Sequence, residues 1–129
     1  MKYALTREYL ASMGINVYMD DNAPTGYVVT RTAPYKRSLR LIRTTRLSIF
    51  KNTKGHPYGS DKTYWLVGWN NHTYPLARVV YAWFKGDVPA NMDVDHVDND
   101  SLNNSLDNLQ LLTRKDNLAK REGKVNKYK

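Results

Sequence analysis

Between residues 93 and 117 the chain gathers the side chains best suited to chemistry: Asp95-His96, Asn103-Asn104, Asp107-Asn108, Thr113-Arg114 and Asn117. A carboxylate and a carboxamide oxygen brought together suit a hard divalent ion. Magnesium takes one or two such ligands and fills its other positions with water and substrate phosphate. A neutral imidazole beside them can take a proton from water. Together these are the parts of a one-metal phosphodiesterase. For an isolated Asp-His pair, the ordinary reading is instead a surface His in a solvated loop of Asx turns. Competing motifs fail on spacing. An EF-hand started at Asp98 would put Leu102, Asn103 and Leu109 where a ligand, a glycine and a glutamate are required. His56, His72 and His96 are too far apart for a His-Glu-x-x-His zinc pattern, and no G-x-x-x-x-G-K phosphate loop occurs.

The elements that would position these groups can be read from periodicity and punctuation. Val94 and Val97 bracket Asp95-His96 as a short strand, and a run of about ten turn-favouring residues follows. Leu106, Leu109, Leu111 and Leu112 return the chain to a core, and Thr113 caps a helix carrying Asn117. Upstream, 63–69 reads as a strand, Asn70-Asn71 as a hairpin turn and 72–74 as the return strand. Leu76, Val79, Val80 and Trp83 recur at helical spacing, predicting a helix over 76–84. A short helix is expected over 6–13, a loop over 18–25, a strand over 26–32 and a loop or hinge over 52–60. Residues 39–50 are ambiguous. Leu39, Ile42, Arg43, Arg46 and Phe50 fit a helix with a basic face, while Thr44, Thr45 and Ile49 favour a strand. Trp65, Trp69, Trp83 and Phe84 are expected in the core, and His56 and His72 in solvent.

Charge adds a partner class. The 129 residues carry 20 Lys and Arg against 12 Asp and Glu, a formal net charge of +8, which favours a polyanionic partner. The distribution is sharper than the total. No acid occurs over 22–60, where Arg31, Lys36, Arg37, Arg40, Arg43, Arg46, Lys51 and Lys54 lie. Asp87, Asp93, Asp95, Asp98, Asp100 and Asp107 then form an acidic centre, and Arg114 opens a basic tail containing Lys120, Arg121 and Lys124. The absence of cysteine excludes disulfides and thiolate zinc sites. No apolar run is long enough to span a membrane, and no signal-peptide core follows Met1. A cytoplasmic protein is the expectation.

The order and spacing of Asp95-His96, Asn103-Asn104, Asp107-Asn108-Leu109, Thr113-Arg114 and Asn117 resemble the HNH endonucleases, specifically the cysteine-free H-N-N branch of bacteriophage homing endonucleases. The likeness extends over about 62–117 and includes 74–84, where Ala77-Arg78 stands in place of the family's usual His-Arg. It implies an α+β fold, a small mixed domain with a ββα-metal (His-Me finger) nuclease core. His96 would be the general base, Asp95 and Asn117 would bind Mg2+ or Mn2+, and Asn108 would pin the loop and orient His96. Asn103 and Asn104 would brace the loop. The expected organisation is a basic DNA-contacting arm over 1–61, the nuclease core over 62–120 and a basic tail over 121–129. Arg31, Arg40, Arg43, Arg46, Arg114, Lys120, Arg121 and Lys124 are the expected contacts to double-stranded DNA. Sequence reading would come from the arm, a homodimer or a specificity partner, and a phage-encoded protein would act in the host cytoplasm. The alternative is a non-catalytic nucleic-acid-binding module that keeps the fold as a scaffold.

Overall fold

The computed structural model describes residues 4–35, 38–54 and 62–121, with 34, 35, 38–41, 53, 54, 62 and 121 described by backbone alone. His56 and Lys124 lie outside the described residues. Among the described residues no helix is long and apolar enough to cross a membrane.

The first helix, α1 (Arg7–Ser12), starts where expected because the Thr6 hydroxyl accepts the Tyr9 amide at 3.0 Å. It stops at Gly14, whose φ of +72° belongs to the left-handed region. There the chain passes so close to the next hairpin that the Thr32 amide donates to the Gly14 carbonyl at 2.8 Å. Strands β1 (Ile15–Met19), β2 (Tyr27–Tyr35) and β3 (Ser38–Arg46) form an antiparallel sheet in that order. Tyr18 and Met19, expected in a loop, are therefore strand residues.

The ambiguity over 39–50 resolves as strand. Arg43, Thr44, Thr45 and Arg46 pair with Ala33, Thr32, Arg31 and Thr30 of β2, and Ile49 opens β4 (Ile49–Lys54). Threonine and isoleucine content outweighs the helical spacing of the leucine and arginines, because a neighbouring strand is there to receive it. Residues 52–54, expected in a loop, extend β4.

Strands β4, β5 (Lys62–Trp69) and β6 (His72–Pro75) make a second antiparallel sheet. The β5–β6 hairpin turns on Asn70 and Asn71, with φ of 51° and 61°, as a two-residue turn with both φ values positive requires. Helix α2 (Leu76–Phe84) has the expected bounds and buries Leu76, Ala77, Val79, Val80 and Ala82. Its buried Arg78 donates from Nη1 to the Met92 carbonyl at 3.1 Å, holding the start of the following strand. That strand, β7 (Met92–His96), pairs antiparallel with β8 (Leu109–Thr113), and helix α3 (Arg114–Arg121) packs on both.

One core joins these parts. Leu5, Leu10, Val29, Val67, Val79, Val80, Val88 and Leu109 are each no more than 2% exposed and belong to a single apolar cluster. The cluster and the β4–β5 pairing both run across residue 62. Trp69 is buried and stacks on Tyr74 at 4.1 Å between ring centroids, while Phe84, expected in the core, is exposed.

A side chain at Gly14 tests the closest approach in this arrangement. A Cβ there would lie 1.9 Å from the Thr32 carbonyl oxygen, in backbone that L-residues avoid. The left-handed penalty alone is about 1–2 kcal/mol, and the clash adds to it. Gly14→Ala should therefore lower unfolding free energy by at least about 2 kcal/mol. Urea denaturation checks this, and an unchanged midpoint would contradict the contact.

Candidate functional site

The β7–β8 ladder sets the site. Asp95 pairs with Gln110 and His96 with Leu109, so the Gln110 amide Nε2 donates to Asp95 Oδ2 at 2.8 Å. From α3, Lys120 Nζ reaches the same oxygen at 2.6 Å and the His96 carbonyl at 2.9 Å. Thr113 caps α3 by accepting the Asp116 amide at 3.1 Å. One turn in, Asn117 Nδ2 donates to Asp93 Oδ2 at 3.2 Å. That bond uses the amide nitrogen and leaves Oδ1, the atom a hard cation would take. Asp95, His96, Asn117 and Lys120 line one cavity of about 60 Å³, together with Val94, Asn99, Tyr64 of β5 and Ser101.

The connection between β7 and β8 is a closed polar knot. Asn108 is buried and makes three bonds within it: its Nδ2 donates to Asp98 Oδ1 at 2.8 Å and to the Asn103 carbonyl at 2.9 Å, and its Oδ1 accepts the Asp98 amide at 3.0 Å. Asn103 Nδ2 adds a bond to Asp98 Oδ2 at 3.0 Å. Ser101 ties the loop to the second sheet by donating to the Thr63 carbonyl. From the end of α2, Lys85 Nζ reaches the Leu106 and Leu109 carbonyls, each at 2.9 Å. His96 is 8% exposed, and its Nε2 lies 2.7 Å from Oδ1 of Asn104. Asn108 therefore holds the loop, while the side chain touching the imidazole is that of Asn104. The asparagine-rich sequence signals the knot but not which amide faces the histidine.

Of the expected DNA contacts, Arg43, Arg46 and Arg114 are exposed. Arg31 instead serves its own chain: Nε donates to the Met13 carbonyl at 3.1 Å and Nη1 to Asn70 Oδ1 at 3.0 Å. Arg40 and Arg121 are placed by backbone alone, in β3 and α3. Lys120 turns into the site and pairs with Asp95. Its position three residues after Asn117 on one helix face was the only sequence signal for that role.

Among the described residues no three His, Cys, Asp or Glu side chains gather to hold a metal. One carboxylate and one amide oxygen still fit a magnesium-type ion, which keeps several waters. That the Asp95 carboxylate accepts a cation is visible in the Lys120 ammonium it already holds. A larger cavity of about 300 Å³, lined in part by Pro24, Tyr27, Arg46 and Trp65, shares none of these groups. Size alone gives no reason to place the chemistry there.

Comparison with known families bears on the same stretch of chain. Residues 74–119, about a third of the chain, match the family model of the HNH endonucleases. The matched segment runs from the end of β6 through α2 and the β7–β8 unit into α3, and it is similar to that family. The similarity supports nuclease activity in general. Nothing among curated proteins or solved structures matches the chain.

The knot has a pH signature. The Asn103 amide, the Asp100 N–H and the Asn108 amide hold the Asp98 carboxyl below its ordinary range, with a smaller contribution from His96. A lowered folded-state value means stability that is present above the ordinary Asp value of about 3.9 and lost as pH falls through the folded value. Acidification below about pH 4 should therefore weaken the wild-type protein more than Asp98→Asn. Urea midpoints across pH check this, and equal acid sensitivity would remove Asp98 from the knot.

Proposed function

We propose that this protein is a metal-dependent endonuclease that hydrolyses phosphodiester bonds in double-stranded DNA, in the manner of the phage homing enzymes its sequence resembles. The observation carrying this reading is the convergence of Asp95, His96 and Asn117 on one cavity from two elements. Asp95 and Asn117 Oδ1 would hold Mg2+ or Mn2+. When bound, the ion supplies charge stabilisation to the phosphoryl oxygens and the leaving group.

The chain's own residues do the rest. His96 would take the proton from the attacking water through the ring nitrogen that does not face Asn104. Gln110 and the β7–β8 ladder hold Asp95 in register, and Asn108 keeps the loop closed over β7. Lys120 stands beside Asp95, where a phosphate oxygen would also find its ammonium.

Supercoiled plasmid should be relaxed or linearised with Mg2+ or Mn2+ and left intact with chelator. No cutting with either metal would overturn the enzyme reading in favour of a DNA-binding module. His96→Ala should retain metal and DNA binding while cleavage falls about 10²–10⁴-fold, the worth of a positioned base. Asp95→Ala or Asn117→Ala should weaken metal binding, with partial recovery at higher manganese. Wild-type cutting by His96→Ala would refute the assignment, as would loss of metal binding there with Asp95→Ala unaffected.

DNA affinity should come from the basic surface. Arg43, Arg46 and Arg114, all exposed, would meet phosphates. With about five such contacts, log K should fall against log salt with a slope near about −4.5, at about 0.9 per contact. A flat dependence, read by fluorescence anisotropy, would remove these residues from the interface.

A further inference from the structure

We infer that Asn104 is the positioning residue that makes His96 a base, and that Tyr27 of β2 holds Asn104 in place. The inference rests on the nuclease reading for its consequence, but its structural content stands on three buried groups. His96 and Asn104 are 8% and 3% exposed, and His96 Nε2 meets Asn104 Oδ1 at 2.7 Å. A carboxamide oxygen only accepts, so the proton must sit on Nε2. A neutral imidazole with its proton on Nε2 has its lone pair on Nδ1, and that nitrogen becomes the base. Had Nδ1 carried the proton, the buried Oδ1 would face a second lone pair.

Asn104 cannot hold this orientation by itself, because it lies in a loop between two strands. Its main-chain carbonyl accepts the Tyr27 hydroxyl at 2.7 Å across 77 residues of sequence. Tyr27 is itself buried, and burial raises its pKa, so it stays a donor. The chain of contacts therefore runs from the first sheet through Tyr27 and Asn104 to His96. Asn108, whose three side-chain bonds all go to Asp98 and Asn103, does not touch the ring and acts on it only by closing the loop.

The tautomer can be read without any cleavage. Nitrogen-15 correlation spectra of the wild-type protein, with His56 and His72 as internal references, should show the His96 proton on Nε2. Asn104→Asp keeps an acceptor there and should keep that tautomer. Asn104→Leu removes the acceptor and should give mixed tautomers, with kcat down about 10–100-fold and KM for DNA unchanged. Tyr27→Phe removes one hydroxyl and should shift the tautomer mixture and kcat in the same direction by less. It also serves if Asn104→Leu does not fold. A wild-type proton on Nδ1 overturns the inference, as does an unchanged tautomer and kcat in both Asn104→Leu and Tyr27→Phe. If the wild-type proton is on Nε2 but plasmid is never cut, the nuclease reading fails and the Asn104 assignment stands.

Discussion

A buried imidazole must find a partner for its N–H, and much of this site is arranged around that requirement. Desolvating an unpaired polar group costs about 1–3 kcal/mol, a large fraction of the stability of a chain this size. His96 is at the end of β7, and its cross-strand partner is Leu109, whose side chain has no polar atom to offer the ring. The loop that follows must fold back to supply one. It does so with its own amides: Asn108 closes the loop on Asp98, and the closed loop delivers Asn104 to the ring. Each buried asparagine satisfies one neighbour and is satisfied by another, which is how the nine polar residues between His96 and Leu109 keep a single shape.

The electrostatics follow from the same crowding. Asp95 faces both Gln110 and Lys120, and the Lys120–Asp95 pair is 12% exposed on each side. On the proposed reading, a substrate phosphate would compete with Asp95 for the Lys120 ammonium, and the metal would compete with Lys120 for the Asp95 oxygen. Arg43 and Arg46 of β3, by contrast, are exposed. The site and the charged surface are thus built on different principles: the first on satisfied burial, the second on long-range attraction.

The segment before residue 62 is more than an arm attached to a core. Leu5, Leu10 and Val29 pack into the cluster that includes Val79, Val80 and Leu109, and Leu5 bridges to Val88. Arg7 lies over the Trp83 ring at 3.8 Å and donates to the Trp83 carbonyl. Arg31, a basic residue by sequence, ties α1's end to the β5–β6 turn. A cation's role depends on which strand face it occupies. Arg31 shares its face of β2 with the buried Tyr27 and Val29, and its half-buried guanidinium is turned to the Met13 carbonyl and Asn70.

Local chemistry was legible in the sequence wherever it acts through neighbours. The Thr6 and Thr113 caps, the Asn70-Asn71 turn and the α2 period each depend on residues a few positions apart, and so do the strand carrying Asp95-His96 and the helix carrying Asn117. Residues 39–50 were not legible, because their leucine and arginine spacing and their threonines argue for different elements. Only the β2 partner strand decides between them. The same limit applied inside the site. Four asparagines at 99, 103, 104 and 108 are equivalent as letters, and their roles depend on how the loop closes. The sequence by itself determined which groups could do chemistry and roughly which elements carry them. Only the tertiary structure decided that Asn104 meets His96, that Lys120 meets Asp95 and that Tyr27 meets Asn104. Those contacts span 8 to 77 residues, and burial rather than local propensity selects them.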